Sequence, residues 1–253
     1  MYGFRDTTSD WHFHEEWLPS FAMCYDGEFL EHIVPGYRTL SVVGREMLGY
    51  EFTKENALLG SIVTSERIPD RTLTITYQLE ASTSEGLQIA FKALERALKK
   101  KVDVPIMFND ERDWTYYGRY ETASEVPGET NSVISSFTIL CSDPRRFGKE
   151  ITMGTGRIVR LGEFVPVTIE FDLPPNTSYF VSNGVQRIHG VNTNAATQTH
   201  VKLDFMSFEA YANGNRSPKI IALNSDFENF EIETDMEITT NTKNFKLTYK
   251  EVS

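Results

Sequence analysis

In the stretch RTLTITYQL, Leu73, Ile75, Tyr77 and Leu79 alternate strictly with Thr72, Thr74, Thr76 and Gln78. A period of two sends one row of side chains into a core and the other outward, so this segment predicts a half-buried strand. A sheet with one apolar face needs a cover, and the chain supplies one directly afterwards. In SEGLQIAFKALERALKKK, residues Leu87, Ala90, Phe91, Leu94, Ala97 and Leu98 fall along a single helical face. Ser82 and Glu85 have the spacing of a capping box, and Lys99, Lys100 and Lys101 suit the negative end of the helix dipole. The spacing predicts one amphipathic helix of roughly four turns packed on the sheet.

Beyond the helix the period returns to two. VDVPIMF, WTYYGRY and SVISSFTILC read as strands, and the charged run between the first two reads as their turn. SDPRRFGKE then places a proline, a glycine and a cluster of charge at the close of a strand, and a domain boundary is expected near Gly148. The expected domains are therefore 1–148 and 149–253. In the second, FVPVTIEF, YFVSNGVQRI with an Asn183-Gly184 turn, HVKLDFMSFEAY, KIIAL, FEIET and FKLTY read as short strands without a helical period. Regularly spaced short strands predict an antiparallel β-sandwich. The fold class expected for the whole chain is mainly β.

Composition bears on partners. The 253 residues carry 36 acidic and 25 basic side chains, a formal charge of -11. That sign is wrong for gripping phosphate backbones, which argues against stable nucleic-acid binding. Residues 1–148 hold 15 basic and 23 acidic residues, a net of -8, against 10 and 13 in the remainder, a net of -3. Cys24 and Cys141 are too far apart for a zinc or redox motif and read as free thiols. MYGFRDTTSDWHF does not read as a signal peptide, and no run of about 18 apolar residues predicts a membrane span.

Candidate chemistry is sparse. In WHFHEEW, His12 and His14 would share one face of a strand beside Glu15, yet a structural zinc site needs four ligands and His32, His189 and His200 are scattered. Nucleophile elbows and phosphate loops are absent from the sequence. The run FNDERDWTYYGRY brings Asp110, Glu111 and Asp113 together with Arg112. Paired carboxylates in a cleft can divide general acid and base roles. A charged turn between strands is also what solvation alone produces, and the residues leave both readings open.

The order of these pieces resembles the distal tail proteins of siphophages. An alternating strand opened by Arg71, a helix LQIAFKALERAL, the turn DERDWTYYGRY and the ending CSDPRRFG occur in the family's sequence order, over about residues 1–148, and the resemblance suggests the lactococcal siphophage version. The resemblance implies a first domain like a tail-tube subunit, a β-sandwich with one α-helix and a long β-hairpin, and a second domain that is often a galectin-like β-sandwich. It implies a structural virion protein at the distal end of the tail and no catalytic, cofactor or metal site. It further implies a homohexameric ring joining tail tube to baseplate or tail tip, an assembly hub that lets DNA pass.

The partners implied are other copies of the chain, the major tail protein or tail terminus, the tape-measure protein, a tail-associated protein of the fibre or lysin type, and baseplate proteins. On this reading Asp110, Glu111, Arg112, Asp113, Trp114, Tyr116 and Tyr117 serve assembly of the ring domain. The alternative is a carbohydrate-binding module for host recognition. The second half lacks the Trp of a galectin-type sugar site, and Tyr179, Phe180 and Tyr211 are the aromatics that could replace it.

Overall fold

The computed structural model describes residues 18–126, 131–192 and 197–253, so His12, His14 and Glu15 lie outside the described residues. Contacts divide the chain into two compact units, Met1–Arg145 and Arg146–Ser253. The first contains β1 (Met23–Tyr25), β2 (Glu28–Phe29), a one-turn helix α1 (Leu30–Ile33), β3 (Tyr37–Val43), β4 (Glu51–Asn56) and β5 (Ser61–Arg67). It continues with β6 (Arg71–Glu80), helix α2 (Ser84–Leu98), β7 (Val104–Phe108), β8 (Tyr116–Ala123) and β9 (Ser132–Cys141).

The alternating segment is β6, with Leu73, Ile75, Tyr77 and Leu79 buried as predicted. It lies between β3 and β9 in a seven-stranded antiparallel sheet of order β2-β1-β7-β8-β9-β6-β3. Its pairing with β9 is unbroken over ten residues, from Arg71 opposite Cys141 to Glu80 opposite Ser132. Helix α2 contributes Ala90, Leu94 and Leu98 to the same core as Leu73, Ile75 and Leu79. Burying each such large aliphatic side chain contributes about 1.5–3 kcal/mol.

The helix start differs from the capping-box reading. Thr83 is the N-cap, in extended conformation, and its hydroxyl accepts the Gly86 N–H at 3.0 Å. One residue on from Ser82, the third helical position is Gly86, which has no side chain to answer the cap, so a single bond replaces the box. Gly44, which follows β3, is required by geometry. Its φ is +98°, and a Cβ there would lie 2.1 Å from the Thr72 carbonyl oxygen.

The second unit contains β10 (Phe147–Met153), β11 (Gly156–Arg157), β12 (Glu163–Leu173), β13 (Ser178–Ser182), β14 (Arg187–Val191) and β15 (Thr199–Asp204). After these come β16 (Glu209–Ala212), β17 (Asn215–Arg216), β18 (Ile232–Glu233), β19 (Glu237–Thr240) and β20 (Lys243–Val252). One sheet runs β10-β20-β12-β15-β16-β17, with β18 pairing to β12, and the other runs β11-β19-β13-β14. Phe171 from the first and Tyr179 from the second meet with ring centroids 4.8 Å apart inside one shared core, so the two sheets form a sandwich.

Three strand readings change. HVKLDFMSFEAY is two strands, because Asp204 folds back to accept the backbone N–H groups of Met206 and Ser207 and starts a turn. KIIAL is a 3-10 turn at Pro218–Ile220, where proline supplies a helical φ and no N–H. FEIET pairs only at Ile232–Glu233. The Asn183-Gly184 turn spans four residues between Ser182 and Arg187, with the Asn183 side chain accepting from the Val185 and Gln186 N–H groups. The described residues are mainly β throughout, in several sheets.

Candidate functional site

The turn from β7 to β8 is built by local bonds before any distant partner matters. Glu111 N–H donates to the Phe108 carbonyl at 3.0 Å and Trp114 N–H to the Glu111 carbonyl at 3.1 Å, two successive reversals. Asn109 pins it from below: its backbone N–H donates to the Ala22 carbonyl at 3.0 Å and its Nδ2 to the Pro19 carbonyl at 2.9 Å. Its Oδ1 accepts Arg112 Nε at 2.8 Å. Tyr116 is fully buried and donates its hydroxyl to Glu111 Oε2 at 3.1 Å, while Trp114 and Tyr117 are half-buried and Asp110, Arg112 and Asp113 are exposed.

The long-range partner of this turn is Arg45. Its guanidinium holds Asp110 through two parallel bonds of 2.8 and 2.9 Å, and Glu111 Oε2 lies 3.6 Å from Nη1. Beneath it sits the Phe108 ring, 4.9 Å from the guanidinium carbon. The hydrogen bond to Asp110 holds the Arg45 pKa above its ordinary value. A second arginine, Arg71, is buried and binds the other side of the same segment, donating Nη1 to the Gly44 carbonyl at 2.9 Å and the Glu46 carbonyl at 3.2 Å. Its Nε reaches the Pro144 carbonyl at 2.6 Å, and its guanidinium lies over the Tyr116 ring.

These two arginines fix residues 44–46, the stalk from which the β4–β5 hairpin leaves the sheet. The hairpin pairs only with itself, from Glu51 opposite Arg67 to Asn56 opposite Ser61. All its strand residues are exposed, including Phe52, Ile62 and Val63, and Leu58 and Leu59 at the tip are fully exposed.

The seven motif residues thus occupy one turn and the start of β8, beside the foot of a projecting arm. Asp110 and Glu111 are engaged by Arg45 and Tyr116, an arrangement that fixes the backbone of the turn. Among the described residues, no group of three or more His, Cys, Asp or Glu side chains is placed to hold a metal ion. Both cysteines are free and buried, and burial pushes the Cys141 thiol up to about 12.

The aromatics that could form a sugar platform in the second unit do not do so together. Tyr179 is buried in the core, Phe180 is half-buried beneath the Arg187 guanidinium at 4.5 Å, and Tyr211 donates to Glu209 at 2.6 Å. Sequence reasoning missed Arg45 and the contacts of Arg71, and it did not locate the long hairpin that the family resemblance implies. EFTKEN and SIVTSER have apolar residues on both faces of a solvent-exposed ribbon, so no alternation marks them, and Gly60 at φ +78° is the one turn signal.

Known phage tail proteins resemble this chain in sequence and in fold. Residues 27–141 match the family model for the phage tail protein RIFT-related domain. The distal tail protein of Bacillus phage SPP1 is 32% identical over 135 residues, so the chain spans about half the length of that curated relative, 52% of each. The crystal structure of SPP1 Dit, described as a paradigm of hub adsorption apparatus in phages infecting Gram-positive bacteria, superposes with a TM-score of 0.78 at 23% identity, over 92% of this chain and 99% of that one. The calcium-activated baseplate of phage P2 contains a chain with a TM-score of 0.52 at 8% identity, covering 85% of this chain and 90% of its own. The last two show the shared fold. A lactococcal origin rests on sequence resemblance alone. Residues 27–141 thus resemble the phage tail protein RIFT-related domain, and about half of the chain is similar in sequence to the distal tail protein of phage SPP1.

Proposed function

We propose that the protein is a structural component of the distal end of a siphophage tail, its first unit forming a homohexameric ring that joins the tail tube to the baseplate. The observation that carries this reading is the hairpin Glu51–Arg67. An isolated two-stranded hairpin is marginal in water, and this one exposes Phe52, Leu58, Leu59, Ile62 and Val63 while Arg45 and Arg71 hold its foot rigid. Such an arm is completed by a neighbour. A second copy fits, because a head-to-tail contact whose rotation closes gives a ring. DERDW serves construction on this reading: Asp110 sets the arm's angle through Arg45, and no catalysis is involved.

The second unit, residues from about 149 to 253, serves as an outward arm docking host-recognition baseplate proteins. The tail tube's major protein or terminus, the tape-measure protein and the tail-associated protein meet the ring along its axis. The first unit's acid excess supports a bore that repels phosphate and retains no duplex DNA. Light scattering of the purified chain with negative-stain microscopy tests the ring. Six copies are expected, and replacing residues 51–67 with a short glycine linker abolishes the ring while the unit stays folded. A monomer at every concentration, together with absence from tail tips in virions, refutes the reading. Removal of the second unit leaves the ring intact if the division of labour holds.

A further inference from the structure

The chain contains the dipeptide Asn-Gly twice, at Asn183-Gly184 and at Asn213-Gly214. In such a pair the glycine amide nitrogen can attack the side-chain carbonyl carbon of the asparagine, because glycine has no Cβ to obstruct the approach. Both pairs are turns in which the glycine has positive φ, +92° at Gly184 and +79° at Gly214. Glycine conformation therefore does not separate them. The engagement of the reacting groups does.

At Asn183 every one of those groups is held. The residue is 2% exposed, so water has little access to it. Its Nδ2 donates to Gln186 Oε1 at 2.7 Å and to the Glu231 carbonyl at 2.8 Å, and its Oδ1 accepts the Val185 and Gln186 N–H groups at 2.9 and 2.6 Å. The attacking group is occupied as well, since the Gly184 N–H donates to Ser182 Oγ at 3.1 Å. Both hydrogens of the side-chain amide and both acceptor positions of its oxygen are used.

Asn213 is exposed, in the two-residue turn between Ala212 and Asn215 that joins β16 to the edge strand β17. Its own φ of +50° and that of Gly214 make this the type I′ hairpin turn that Asn-Gly favours. The Asn213 N–H donates to the His200 carbonyl at 2.8 Å, and the His200 N–H donates to Asn213 Oδ1 at 2.8 Å. The side-chain carbonyl is thus fixed and polarised by a donor placed where negative charge develops during attack. Among the described residues, neither Asn213 Nδ2 nor the Gly214 N–H makes a hydrogen bond, and the space beside the Gly214 Cα is open. Nucleophile, leaving group and access to water are all free here.

We propose that Asn213 is a site of spontaneous deamidation, while the fold protects the identical dipeptide at Asn183. The Gly214 nitrogen bonds to Asn213 Cγ, the Cγ–Nδ2 bond breaks, and Nδ2 leaves as ammonia with the proton lost by the Gly214 amide. Water then opens the resulting five-membered imide, and nothing is oxidised or reduced. Opening at Cγ leaves an aspartate whose carboxylate still accepts the His200 N–H. Opening at the main-chain carbonyl leaves an isoaspartate, which adds a methylene to the backbone of the turn and disturbs the pairing of β17. Either product adds negative charge to a chain already at -11.

The test is peptide mapping of the full-length protein after incubation at pH 8 and 37 °C, with a fresh sample digested alongside to remove conversion during digestion. Trypsin places the two asparagines on separate peptides, ending at Arg187 and Arg216. The expected result is a gain of about 1 Da accumulating at Asn213, assigned by fragmentation, with an isoaspartate that protein-isoaspartate methyltransferase labels. Asn183 should convert about 100-fold more slowly, because several hydrogen bonds must open first. In urea the two rates should come within about threefold of each other, since the fold alone distinguishes them. Equal rates in the native protein, or no conversion at Asn213 while the unfolded chain converts, overturn the proposal. A preference for Asn213 that persists undiminished in urea also overturns it, by assigning the difference to sequence instead of structure.

Discussion

If Arg45 and Asp110 tie the hairpin's foot to the DERDW turn, removing either should release the other from a defined partner. The pair makes two charge-assisted bonds of 2.8 and 2.9 Å, with side chains 17% and 29% exposed. Hydrogen bonds between charged groups contribute about 1.5–3 kcal/mol and the stacking over Phe108 about 0.5–1 kcal/mol, before solvent screening reduces both. Arg45→Ala should therefore cost about 2 kcal/mol, and the coupling in a cycle with Asp110→Ala should be about 1 kcal/mol. Urea is the suitable denaturant, because guanidinium chloride would screen the ion pair. Trp114 lies in the turn itself and residues 146–253 contain no tryptophan, so tryptophan fluorescence does not report on the second unit. Raising the salt should shrink the coupling. A coupling below about 0.3 kcal/mol, the usual limit of additivity for independent sites, would show that the turn and the stalk are not tied by this pair.

Gly44→Ala places a methyl group 2.1 Å from the Thr72 carbonyl oxygen at φ +98°, and urea melts should show a loss of about 2–4 kcal/mol in the first unit. Cys141, with its thiol at about 12, should resist iodoacetamide at pH 8 in the native protein and react once urea unfolds it; fast native alkylation at this residue refutes its burial. Burial raises the Glu31 carboxyl above the ordinary carboxylate range, although Oε1 accepts the Thr39 N–H at 3.0 Å. The native state thus holds this proton to higher pH than the unfolded chain, and that stabilisation is full below the unfolded pKa and lost as pH rises through the folded one. Glu31→Gln should accordingly gain stability relative to wild type as pH rises above the ordinary carboxylate value of 4.5, and a difference that does not change with pH refutes the assignment.

Local periodicity and the side chains of adjacent residues were legible in the linear chain. The alternation at Arg71–Leu79 and the apolar stripe ending at Leu98 each place a whole face from neighbouring residues, so strand β6, helix α2 and the mainly β fold could be read from them. So could the position of the DERDW turn, because charge between two apolar runs has nowhere to go but solvent. Its purpose could not. Arg45 and Asp110 are 65 residues apart, and nothing in the spacing of either announces that they meet. The hairpin was hidden for a related reason: periodicity records burial within one chain, and a ribbon exposed on both faces has none to record. KIIAL and HVKLDFMSFEAY have strand-like composition, and only the tertiary arrangement decided otherwise, through Pro218 at the head of a 3-10 turn and an Asp204 side chain that captures the next backbone donors. Backbone strain is likewise a property of the folded chain. The letters MSF read as the middle of a strand, and it took the closed turn to put Phe208 at positive φ with its ring facing solvent.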